Sequence, residues 1–170
     1  MKKTLEDLNC LFAIVLSCVI LAGYTVQYTR HENPCPLCML QRLAMIGVSI
    51  GPLLNLRFGV KMQHYGLSIL FALFGMSVSL RQIALHVCPG FPSFGEPVFG
   101  LSLYSWAFLT FAISLLAIAI LMSVFKFTHN SEQPLKLHLF GKLAFGFVFL
   151  VSIADAITTY MQCSMSTCAG

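Results

Sequence analysis

The chain has 170 residues, of which 58% are hydrophobic and only 9% charged, with a net charge of +4. An ordinary soluble domain carries about 25% charged residues, so this composition excludes a water-covered globule and selects lipid as the solvent. The small positive charge is spread along the chain without a basic patch interleaved with aromatics, and no nucleic-acid partner is expected.

A membrane-crossing helix needs about 20 mostly apolar residues. Reading from charge to charge gives five such runs, at about residues 8–28, 36–56, 65–87, 101–125 and 139–161. Their length and their lack of period-two alternation predict helices rather than barrel strands. The expected fold is an all-α polytopic membrane bundle, a single membrane domain over residues 1–170. Lys2 and Lys3 before the first run resemble the start of a signal peptide. That run is long for one and lacks an A-x-A cleavage pattern, so it reads as a retained anchor.

Orientation follows from the ten basic residues. Lys2, Lys3, Arg57, Lys61, Lys126, Lys136 and Lys142 fall on one side of the predicted topology, and Arg30, Arg42 and Arg81 on the other. The positive-inside rule then makes the N-terminus cytoplasmic. Cys35, Cys38, Cys88, Cys163 and Cys168, together with the C-terminus, face outward. That compartment favours disulfides, and five cysteines leave one unpaired, which suits thiol exchange better than a fixed framework. Cys10 and Cys18 lie within the first run and read as small apolar side chains.

Cys35-Pro36-Leu37-Cys38 alone is a weak motif. Zinc held with Cys163 and Cys168 is one competitor, but the C-x4-C spacing of that second pair lies outside usual structural zinc sites; an inert disulfide is another. The local context favours redox exchange. The helical pattern resumes at Leu37, which puts Cys38 in a first turn where free N–H groups and the helix dipole stabilise a thiolate. Arg42 is four residues on, on the same face. Between Arg42 and Arg57 there are 14 residues, about 21 Å of helix at about 1.5 Å per residue, short of a hydrocarbon core of about 30 Å. The second helix must therefore start upstream, with Cys38 and Arg42 at the outer lipid edge, a place suited to a lipid-soluble electron acceptor. Arg81 and His86 end the third run at the same level; snorkelling to headgroups is the competing role for the arginines. Asp155 inside the fifth run is costly in lipid, and with Thr158 and Thr159 nearby both hydrogen-bonded packing and proton uptake remain open.

Cys35-Pro36-Leu37-Cys38 with Gln41-Arg42, Arg81 and His86 at the end of the third helix, and the run Gly100-Leu101-Ser102-Leu103-Tyr104-Ser105-Trp106 resemble the disulfide bond formation protein B family (DsbB and its BdbC-type relatives). The resemblance covers about residues 8–125, a four-helix core to which this chain adds a fifth helix. It implies a bacterial inner-membrane protein-dithiol:quinone oxidoreductase that reoxidises a soluble thioredoxin-fold dithiol oxidase (DsbA-like) and reduces ubiquinone or menaquinone. Cys35 and Cys38 are then the redox-active disulfide, with Cys38 facing the quinone and Arg42, His86 and Arg81 as quinone-binding residues. Family members usually carry a second cysteine pair between helices three and four, where this chain has only Cys88. The second redox pair is therefore expected among Cys88, Cys163 and Cys168, with the pairing open. The Pro-, Gly- and Phe-rich segment 88–100 reads equally as a partner-docking strip and as an ordinary connector. A vitamin K epoxide reductase-like enzyme is an alternative, although there the helix-borne C-x-x-C follows the other pair. So is a membrane subunit or small channel with structural disulfides.

Overall fold

Each of the five apolar runs folds as one helix in the computed structural model, which describes residues 2–30, 35–87, 97–126 and 139–165. They are α1 (Lys2–Thr29), α2 (Pro36–Phe58), α3 (Met62–Val87), α4 (Leu103–Lys126) and α5 (Leu139–Met165). All five are long and apolar enough to cross a membrane. Large apolar side chains stay exposed along the outer faces, Leu70, Ile113 and Phe149 among them, as a lipid-facing surface requires.

Several helices run further than the apolar segments. α1 takes in Glu6 and Asp7, because a helix end tolerates charge where a hydrophobic run does not. α4 starts at Leu103, two residues late, because Val98 and Leu101 pair across a two-residue turn. Phe99 and Gly100 in that turn have φ of 52° and 81°, the left-handed pair that tight hairpins use. Trp106 Nε1 ties the turn to α4 by donating to the Val98 carbonyl at 2.9 Å.

α2 packs chiefly on α3, α3 on α4, and α1 on α2 and α5; α5 touches only α1 and α2 among the described residues. One close α2–α3 contact has a specific cause. Pro52 lies inside α2 and has no N–H for the Val48 carbonyl one turn earlier. Ser68 of α3 supplies the missing donor, its hydroxyl reaching Val48 O at 2.7 Å. Gly51 makes room for it: a Cβ there would lie 2.1 Å from Ser68 Oγ and 2.3 Å from the His64 carbonyl.

The bundle has two distinct polar ends. At one, Asn55 of α2 accepts from the Lys61 backbone N–H at 3.0 Å and contacts His64 Nδ1 at 2.8 Å, which fixes the short α2–α3 turn. Nearby, Asn9 of α1 and Tyr65 of α3 exchange hydrogen bonds. The cysteine pair lies at the opposite end.

Candidate functional site

α2 opens on the C-x-x-C motif. Pro36 disfavours helical geometry in the residue before it, and Cys35 is extended (φ −95°, ψ 130°) at the N-cap position. Pro36 occupies the first helical turn, where its missing N–H costs nothing. Cys38 follows within that turn, and the two cysteines are free thiols that are partly buried.

The thiolate preference falls on Cys35, whereas the helix-start argument placed it on Cys38. The Cys35 thiol is pushed down from 9.0 to about 6, chiefly by a hydrogen bond from the Cys38 thiol. Burial opposes this, while the Leu37 and Cys38 N–H groups and the nearby His86 assist. Cys35 makes no formal capping bond with its side chain, so those N–H groups act as nearby dipoles.

Gln82 of α3 lies across the pair, and nothing in the sequence singled it out. It is fully buried. Its Oε1 accepts from Gln41 Nε2 at 2.9 Å, which turns its Nε2 towards the sulfurs, 3.6 Å from Cys35 and 3.5 Å from Cys38. One amide therefore donates to both sulfurs, and α2 and α3 are joined through it. The available signal was weak: a neutral polar residue inside an apolar helix, beside the more conspicuous Arg81.

Arg42 lies one turn below Cys38. Its guanidinium donates to Gln27 Oε1 of α1 and stacks on the Tyr24 ring, 4.0 Å from the centroid. Tyr24 in turn donates to Asp155 Oδ1 of α5 at 2.5 Å and lies 2.6 Å from Thr158 Oγ1.

A cavity of about 440 Å³ opens between α1, α2 and α4. Cys38, Gln41 and Arg42 form its polar wall, Ile20, Val26 and Ile113 belong to its apolar walls, and Val98 and Phe99 of the tight turn also line it. Cys35 does not line it. Neither do the other two expected quinone contacts. Arg81 is exposed, and His86 stacks on Tyr104 (centroids 5.1 Å) with Nδ1 2.7 Å from the Gln82 carbonyl.

Cys88 and Cys168, and the segment 88–96 that held the expected docking strip, lie outside the described residues. The backbone of α5 carries Cys163 in its last turns.

Five membrane-length helices, one of which opens on a dithiol, make this a multi-pass membrane protein. The chain matches the family model of the disulfide bond formation protein DsbB over residues 6–94. It belongs to that family. A disulfide bond formation protein B of Cupriavidus metallidurans is 36% identical over 80 residues, 46% of this chain and 50% of that protein. One of Chromobacterium violaceum is 37% identical over 83 residues, 45% of this chain and 49% of that protein. One of Burkholderia ambifaria is 27% identical over 134 residues, 59% of this chain and 79% of that protein. The chain thus spans about half the length of the first two relatives. No solved structure matches the chain.

Proposed function

We propose that this protein is a protein-dithiol:quinone oxidoreductase of a bacterial inner membrane, which reoxidises a soluble extracytoplasmic thioredoxin-fold dithiol oxidase. The observation that carries the proposal is the placement of Cys38 and Arg42 together on the polar wall of an otherwise apolar cavity between α1, α2 and α4. The lining fits a quinone. Aliphatic side chains suit its ring and tail, and the Arg42 guanidinium and Gln41 amide are the hydrogen-bond donors a carbonyl oxygen needs.

The protein's own residues then act in sequence. A partner thiolate attacks a disulfide formed among Cys88, Cys163 and Cys168, and the mixed disulfide resolves by exchange with Cys35–Cys38. In the reduced central pair Cys35 is the favoured thiolate, because the Cys38 thiol donates a hydrogen bond to it and Gln82 Nε2 faces it. With Cys35 already a thiolate, closing the reduced pair again forms one S–S bond and releases two electrons and one proton. A quinone, ubiquinone or menaquinone, supplies the acceptor for both when bound. Cys38 lies on the cavity side of the pair, and Arg42 and Gln41 beside it would hold the acceptor there as hydrogen-bond donors.

Replacing Cys38 by Ser should abolish quinone-dependent oxidation of a reduced thioredoxin-fold partner by the purified membrane protein. A full rate in that variant would overturn the assignment.

A further inference from the structure

Asp155 is 5% exposed and lies in a membrane-length helix beyond the residues the family model matches. A buried carboxylate there is expensive and needs a partner. Its observed partner is the Tyr24 hydroxyl, 2.5 Å away, and the Tyr24 ring carries the Arg42 guanidinium on its face. Tyr24 and Gln27 are buried as well. We infer that Asp155 is a positioning residue for the cavity: through Tyr24 it holds the Arg42 guanidinium at the polar wall, making α5 a working part of the site. The inference rests on the quinone reading above.

The physical chain has three links. Asp155 and Arg42 carry opposite charges and do not touch; the Tyr24 phenol lies between them. By accepting the phenolic proton in a hydrogen bond, the carboxylate makes the ring more electron-rich. An electron-rich face holds a guanidinium more strongly, and more so away from water. The ring in turn decides where Arg42 points, because Gln27 provides its second contact from the same helix. Thr158 backs the phenol from α5 as well, 2.6 Å from its oxygen. A bare arginine at this depth would instead extend to the headgroups. Asp155 itself is absent from the cavity wall, so its effect must pass through Tyr24.

The single tryptophan of the chain, Trp106, lines the same cavity and reports occupancy directly. Titrating a short-chain ubiquinone analogue into purified protein while following Trp106 quenching separates binding from turnover. Asp155→Asn and Tyr24→Phe should each raise the quenching midpoint about tenfold, a loss of about 1.4 kcal/mol. Their combination should raise it no further, since they act in one line. In turnover the quinone KM should rise with kcat nearly unchanged, whereas a general loosening of the fold would lower kcat. Tyr24→Phe keeps the ring and the packing, so the test survives if Asp155→Asn fails to fold. Unchanged midpoints in both single variants while Arg42→Ala is shifted, or additive effects in the double, would overturn the role of Asp155 alone. A wild-type protein without saturable quenching, or an Arg42→Ala midpoint equal to wild type, would overturn the cavity reading and this inference with it.

Discussion

At the scale of single residues, the asymmetry of the cysteine pair follows from where the helix starts. Pro36 holds Cys35 just outside α2 and Cys38 just inside it, so the outer sulfur receives hydrogen bonds while the inner one supplies a proton. The expected consequence is a pH dependence set by Cys35. With its thiol lowered from 9.0 to about 6, the thiolate dominates at neutral pH. Its contribution to the stability of the reduced fold is full above pH 9, shrinks as pH falls, and is lost through pH 6. Stabilising the reduced form makes the disulfide a stronger oxidant. Alkylation of Cys35 in the reduced protein, resolved by mass spectrometry across pH 5 to 10, should show its rate inflection near about pH 6. An inflection near 9 would contradict this account. Part of the centre was legible in the sequence, because Cys38 and Arg42 lie four residues apart on α2, directly after Cys35 at its N-cap. Gln82 and Tyr24 were not. Gln82 reaches the sulfurs from another helix, and Tyr24 meets Asp155 across 131 residues of sequence. No periodicity within one segment encodes such a contact.

At the scale of the elements, hydropathy located all five helices but not their ends or their packing. Charges end a hydrophobic run without ending a helix, which is why α1 runs back through Asp7 to Lys2. The α2–α3 seam shows the complementary limit. Pro52 falls within an apolar run that hydropathy does not interrupt, yet it frees the Val48 carbonyl and so creates a demand that Ser68 meets at 2.7 Å. Removing that hydroxyl with Ser68→Ala leaves a buried carbonyl without its donor and should cost about 1–3 kcal/mol. Gly51→Ala should cost at least as much, because its new Cβ meets the His64 backbone as well as the serine. Thermal unfolding in detergent checks both, and an unchanged midpoint for Ser68→Ala would mean that the Val48 carbonyl is satisfied by other means. The seam bears on the site, since α2 carries both cysteines and α3 carries Gln82. A shift between these helices moves the amide off the sulfurs.

At the scale of the whole molecule, the functional groups are segregated along the bundle axis. Cys35, Cys38, Arg42, Gln82 and Asp155 gather at one end, while Lys61 stands at the other beside Asn55 and His64. α2 connects the two ends with 23 residues, about 35 Å at about 1.5 Å per residue, enough to cross a hydrocarbon core of about 30 Å. We propose that the cysteine end and the Lys61 end face opposite sides of the bilayer, with Lys61 on the cytoplasmic side as the positive-inside rule expects. In intact cells stripped of the outer wall, a membrane-impermeant maleimide should label Cys35 of the reduced protein, as read by mass spectrometry of its peptide. A Lys61→Cys variant should be labelled at that position only after the membrane is permeabilised. Labelling at position 61 in sealed cells would invert the topology and place the dithiol in the reducing cytoplasm. An extracytoplasmic thioredoxin-fold partner would then have no route to it, however well Cys38 and Arg42 fit a quinone.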